Sequence, residues 1–306
     1  MDTTLSRVDR FWAYLQLLRP ANVVTAWADV LAGAAVAGVA VTLADGAVFP
    51  QGAALGWLLV ATTGLYGGGI VLNDVFDASV DADERPERPL PSGRASRRGA
   101  AVLGGGLLLL GIGAASRATG ASALLAVGIA GGAVAYDGWA KDHVVLGPLT
   151  MGLCRGGNLL LGVSLVPAVL ASTWYLTFIP VAYVAAITAI AQGEVHGGTS
   201  RTGYAALGLV GAVLGALLGL GLRADYRLLG AVPFVLVLGA RVLPPFVRAA
   251  RSPTPDRIQQ AVKAGVTSII PLNAVLAAGF GGWAYGLVVL ALLPLSMGLA
   301  RLFAVT

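Results

Sequence analysis

Apolar runs of about twenty residues, separated by short polar connections, recur along the whole chain. A helix needs roughly 20 residues to cross about 30 Å of hydrocarbon. The runs at 22–42, 54–77, 98–116, 120–137, 146–169, 174–195, 203–222, 227–247 and 264–281 meet or approach that length, and 283–301 is a tenth candidate. Inside a bilayer each backbone N–H and C=O must find its partner within the protein, so such runs predict helices. The expected fold is all-α, a polytopic membrane bundle of nine helices, or ten if 283–301 also crosses. No connection is long and polar enough for a second soluble domain and no internal repeat stands out, so residues 1–306 read as a single membrane domain. The polar start, Met1 to Arg10, leads into the first run without a small-residue cleavage site, and no removable signal peptide is expected.

Composition agrees with the pattern. Hydrophobic residues make up 57% of the chain and charged residues only 11%, with mean hydropathy +0.81, whereas a soluble domain is about a quarter charged. The 43 glycines suit helices that approach one another closely in lipid. Cys154 is the sole cysteine, so no intrachain disulfide or thiolate pair is available, and a packing role is expected for it. A sequence pI near 9.7 raises the question of nucleic acid. The basic residues cluster instead in short segments between apolar runs, which is a membrane-topology signal and not a nucleic-acid face.

With the N-terminus inside, Arg7, Arg10, Arg85, Arg88, Arg94, Arg97, Arg98, Lys141, Arg201, Arg248, Arg251, Arg257 and Lys263 fall on the cytoplasmic side, against Arg117, Arg223 and Arg227 outside. The positive-inside rule supports that register. It gathers the polar loops 78–97, 138–145 and 196–202 at the inner face. The expected location is an integral membrane protein, in the plasma membrane if the source is prokaryotic, with its site facing the cytoplasm.

The candidate chemistry lies at the end of the second run. At 3.6 residues per turn Asn73, Asp77 and Asp81 share one stripe, with Asp74 on an adjacent line. Carboxylates so spaced repel one another beside lipid unless a cation neutralises them, and an all-oxygen set suits Mg2+. The alternative is a solvated acidic helix end balancing nearby arginines, the favoured reading for Asp83, Glu84 and Glu87. Downstream come Arg85, Arg88, Arg94, Arg97 and Arg98, set in a stretch stiffened by Pro89, Pro91 and Gly93. Guanidinium groups bind phosphate oxygens bidentately, so arginines beside a metal site are what a diphosphate needs. A basic loop on anionic headgroups is the competing reading.

Here the sequence resembles the UbiA superfamily of intramembrane prenyltransferases. The resemblance rests on NDxxDxxxD at Asn73, Asp74, Asp77 and Asp81, the RPLPSG stretch Arg88–Gly93, Arg19-Pro20 with Asn22 at the first run, and Tyr136 with Lys141 after the fourth. It implies a central cavity, Mg2+ held between two acidic motifs, ionisation of a prenyl diphosphate, and transfer of the cation to a lipophilic acceptor, an aromatic one among the candidates. Carried onto this chain it gives Asn73, Asp74, Asp77, Asp81 and Glu194 as metal ligands and Asp77, Asp81, Lys141 and Glu194 as catalytic residues. Asn73, Arg88, Arg94 and Tyr136 become substrate-binding, and the residues themselves add His196, whose ring can bond a phosphate, and Asn158, a polar group inside the fifth run. Membrane lipids are the only other expected partners, with no obligate protein partner evident. A plain ion pair of Lys141 with the flanking Asp137 or Asp142 stays open.

The family's second acidic motif should fall at 192–198, where Glu194 is the only acid and Gly198 stands four residues later. That departure leaves two further readings: a membrane terpene cyclase that quenches the same cation internally, and a non-catalytic lipid transporter. The polar residues Asp29, Arg155, Asn158 and Arg241 lie inside apolar runs, where ionisable groups are costly and face the protein interior. Trp12, Trp174 and Tyr175 are expected as interfacial anchors. Tyr66 is a candidate for stabilising a cation with its ring.

Overall fold

The computed structural model describes residues 7–39, 51–194 and 197–303, and every regular element among them is helical. A short helix α1 (Arg7–Leu18) leads through Arg19 into α2 (Pro20–Val36), followed by α3 (Gln51–Glu84), α4 (Arg97–Ser116) and α5 (Gly120–Gly138). Then come α6 (Leu146–Val163), a short α7 (Pro167–Thr173) joined by a tight turn to α8 (Phe178–Ala191), α9 (Ser200–Gly219) and α10 (Leu228–Arg251). The chain closes with α11 (Pro255–Thr267), α12 (Ile269–Gly281), α13 (Trp283–Leu290) and α14 (Leu292–Leu302).

Local chemistry sets these boundaries. Proline opens α2, α7 and α11 at positions whose N–H would have no helical partner. Ser96, Thr119 and Thr199 cap α4, α5 and α9 by accepting the N–H of the residue three further on, at 3.1, 3.0 and 3.2 Å. α3 runs past the expected end at 77 to Glu84. Its 34 residues rise roughly 50 Å at 1.5 Å each, so it is longer than the hydrocarbon is thick.

Among the described residues eight segments are long and apolar enough to cross a membrane. The remaining two expected runs correspond to α2 and α6, helices of 17 and 18 residues packed within the bundle. The expected run at 264–281 is two helices, α11 and α12, meeting at Ser268. In the most apolar 18-residue stretch of this pair 72% of residues are buried, chiefly along α12, whereas in the candidate tenth run, Trp283–Leu302, only 11% are, which puts that run at the periphery.

Glycine contacts draw the site-bearing helices together. A Cβ on Gly33 of α2 would overlap the Leu159 carbonyl of α6, and one on Gly162 would overlap the Val30 carbonyl, so the two backbones touch there. Gly64 and Gly68 of α3 meet Gly111 and Gly104 of α4 in the same manner. Interfaces this close fix the rotation of each helix and therefore the direction of its polar side chains.

Candidate active site

One face of α3 runs Thr62, Tyr66, Gly69, Ile70 and Asn73 along a cavity of about 340 Å3, and continues beyond it as Asp77 and Asp81. α5, α6 and α8 enclose the other sides with Ile129, Ala133, Met151, Val184 and Ile187. The result is an apolar chamber with a charged end and a polar floor.

At the charged end three cations from three segments meet the carboxylates of α3. Arg19 sets Nη2 2.6 Å from Asp74 Oδ1, Arg88 Nη1 lies 2.6 Å from Asp81 Oδ2 and 3.8 Å from Asp74 Oδ1, and Lys141 pairs with Asp77. Arg19 reaches Asp74 from a left-handed backbone, φ 44° and ψ 65°. That conformation costs a non-glycine residue about 1 kcal/mol or more. Lys141 lies on a tight turn, Ala140–Asp142, that carries it toward α3. The plain alternative, Lys141 paired with Asp137 or Asp142, is therefore not the arrangement formed.

Asp137 does something else. Its Oδ1 accepts the Asn73 amide at 3.0 Å, its Oδ2 has no hydrogen-bond partner, and the residue is 4% exposed on the cavity wall. Arg88 Nε is likewise buried without a partner. Tyr136 and Asn22 line the chamber beside them.

The floor is a closed polar network. Arg155 donates Nη1 to Asp29 Oδ2 at 2.7 Å, and Nη2 to Thr25 Oγ1 at 2.6 Å and to the Tyr66 hydroxyl at 3.0 Å. Asn158 donates to Asp29 Oδ2 at 3.1 Å and to the Ala26 carbonyl at 2.9 Å, and accepts from Thr62 at 2.7 Å. Asn273 donates to Asp29 Oδ1 at 2.6 Å. Asn158 thus lies in the chamber with its hydrogen-bonding groups occupied. The Tyr66 ring carries the Arg155 guanidinium 4.7 Å from its centroid, so it already faces a cation and is a poor place for a second.

Not every expected residue is brought here. Arg94 spends its donors on Ser92 Oγ, Gln16 Oε1 and the Glu87 carbonyl, holding the loop and α1 together, and does not line the chamber. Glu194 lies just past the end of α8 and is not among the residues lining the chamber. Burial raises its carboxyl above the ordinary range, with Arg85 opposing the shift. His196 lies outside the described residues. Arg241 reaches only hydroxyls, Ser268 Oγ and Thr267 Oγ1, each at 3.3 Å. Among the described residues no three Asp, Glu, His or Cys side chains converge on one point. Arg19, Asp137 and the Asp29–Asn273 contact are the features sequence reasoning passes over or misdirects. Their one local signal is a polar residue at an apolar helix end or within an apolar run.

A second cavity, about 470 Å3, opens between α5 and α6 around Leu124, Gly128, Gly132 and Gly157. Ile129 and Cys154 line both cavities, so the wall between them is one side chain thick.

The sequence profile described as the UbiA prenyltransferase family matches residues 30–265. A digeranylgeranylglyceryl phosphate synthase of Methanopyrus kandleri is 39% identical over 104 residues, 34% of this chain and 35% of that protein. One of Halobacterium salinarum is 34% identical over 161 residues, covering 51% and 54%. The match spans about a third of the length of the first of these relatives. A UbiA homolog from Aeropyrum pernix K1, solved in its apo form, superposes with TM-score 0.64 at 17% identity over 83% of this chain and 96% of that one. A structure described for digeranylgeranylglyceryl phosphate synthase in membranes gives TM-score 0.65 at 17% identity over 90% and 99%. At that identity the likeness is one of fold.

Proposed function

Because this chain belongs to the UbiA prenyltransferase family, we propose that it binds a prenyl diphosphate head-first at the α3 stripe and transfers the prenyl group to a lipophilic acceptor inside the membrane. The observation that carries this reading is the juxtaposition of charges: Asp74, Asp77 and Asp81 ringed by Arg19, Arg88 and Lys141 at the end of a chamber whose side walls are largely apolar. An amphiphile with an anionic head and a hydrocarbon tail matches it end for end. We place that end at the cytoplasmic face, on the loop charges already described.

The donors fit Mg2+. They are carboxylate and amide oxygens only, and the buried Asp137 Oδ2 is left without a hydrogen bond. Asn73, Asp74, Asp77 and Asp81 are the residues that would hold the ion; among the described residues no three carboxylates converge, and Arg19, Arg88 and Lys141 supply the neutralising charge. When bound, the ion supplies charge neutralisation to the diphosphate as it departs. Arg88, Arg19 and Lys141 bind the phosphate oxygens and stabilise the charge that grows on them when the C1–O bond breaks. The apolar walls, Leu65, Ile70, Ile129 and Ala133, exclude water that would otherwise trap the allylic cation. The polar floor ends the chamber, so we take the distal isoprene units to turn sideways past Ile129 and Cys154 into the second cavity.

The relatives' name speaks of a glyceryl phosphate carrying prenyl chains, which makes a glyceryl-phosphate hydroxyl the first acceptor to try, ahead of an aromatic ring. The missing acid at 198 favours one other outcome, internal quenching to a cyclic product. Mass spectrometry of products from purified protein, Mg2+ and prenyl diphosphates of several lengths, with and without acceptor, tests the reading. Acceptor-dependent prenylated product supports transfer, acceptor-independent cyclic hydrocarbon or alcohol supports cyclisation, and no consumption of any donor overturns both.

A further inference from the structure

Three carboxylates at the charged end of the chamber have a cation partner, and one does not. Asp74, Asp77 and Asp81 are each in an ion pair, while Asp137, more deeply enclosed at 4% exposure, has no cation within ion-pair distance. Its Oδ1 is engaged by Asn73 and its Oδ2 by nothing. A buried carboxylate oxygen without a partner is costly, and in a cavity-lining position that cost marks a place kept for a ligand.

The ligand's class follows from the neighbours. Asn73 opens the acidic stripe and its amide touches Asp137, and Lys141, one turn beyond Asp137, reaches Asp77. The end of α5 therefore faces the stripe of α3. The segment expected to provide the opposing acids, 192–198, holds only Glu194, which does not line the chamber. Mg2+ keeps several waters and is commonly held through one or two carboxylates, so a site between two helices needs no third acid.

We infer that Asp137 supplies from α5 the opposing carboxylate that 192–198 lacks, binding a divalent cation through Oδ2 across from Asn73 and Asp77. The inference rests on the proposed function only for the ion's natural identity, since the oxygen donors would take Mn2+ equally.

The test is a titration of the purified full-length protein with Mn2+ alone, following the free aquo-ion signal by electron paramagnetic resonance. No prenyl diphosphate is present, so a wrong substrate assignment leaves the result intact. Asp137→Asn keeps the side chain's size and an oxygen for the Asn73 amide. It is expected to weaken Mn2+ binding about tenfold or more while the melting temperature stays within a few degrees. Asp142→Asn, an exposed acid on the same turn, is expected to bind as the parent does. Where Asp137→Asn does not fold, Asp137→Ser is read in the same way. Parent-like Mn2+ affinity in the Asp137 variant overturns the inference, whatever its effect on turnover. A parent protein that binds no Mn2+ also overturns it.

Discussion

Arg155 of α6 and Asp29 of α2 form an ion pair at 2.7 Å with side chains only 8% and 2% exposed. The close glycine contact of α2 with α6 holds the two helices at the distance this pair requires. Asn158 and Asn273 fill further acceptor positions of Asp29, so the charge is fully hydrogen-bonded. Breaking such a pair leaves an uncompensated buried charge. Asp29→Ala should therefore destabilise the protein by about 3–5 kcal/mol, and Asp29→Ala with Arg155→Met by less than Asp29→Ala alone. Thermal unfolding in detergent measures both, and a double variant as unstable as the single one would contradict the account.

Lys141 is half-buried against Asp77, and its pairing contributes little to folding if the group exists to meet a diphosphate. Lys141→Met should lower kcat/KM for prenyl diphosphate about 10²-fold or more, the scale for losing a donor to developing negative charge. Its melting temperature should change by only a few degrees. A large stability loss with parent-like turnover would make Lys141 a structural pin.

Gly128 lines the second cavity, and open space surrounds the position where its Cβ would stand. Gly128→Phe should fold normally and fill that space. Turnover of a twenty-carbon donor should fall several-fold further than that of a ten-carbon donor. Equal effects on both lengths would show that the chain does not pass this way.

Glu194 gives a pH test. Burial raises its folded-state pKa above the ordinary carboxylate value, so between the two values the folded protein holds the proton more tightly than the unfolded chain does. Stability then falls as pH rises from the ordinary value through the raised one. Glu194→Gln should remove that part of the decline, read as a flatter melting temperature against pH in mildly acidic buffer. An unchanged profile would contradict the assignment.

The stripe of α3 is legible in the sequence because a helix converts a spacing of four residues directly into a shared face. Other placements depend on what a linear pattern does not carry. Asp137 and Lys141 are neighbours along the chain, but α5 ends at Gly138 and the following turn swings the lysine to Asp77. Arg94 shares a loop with Arg88, which reaches the site, yet it follows Gly93 at φ 74°, and its guanidinium turns back to α1 and the loop. Asn273 meets Asp29 across 244 residues, a contact fixed by packing of α12 on α2 and by no local motif. The membrane-crossing helices are readable, but α1 and the first turns of α11 lie outside every expected run. The split at Ser268 and the extension of α3 are not readable either, because they follow from tertiary partners.

The central claim is that the acids of α3 serve chemistry on a diphosphate. Release of inorganic pyrophosphate from a prenyl diphosphate by purified Asp77→Asn protein, at saturating Mg2+ and with folding verified, tests it most directly. A fall of about 10²–10³-fold is expected, the range for losing a preorganised electrostatic group. Release at the parent rate would contradict the claim.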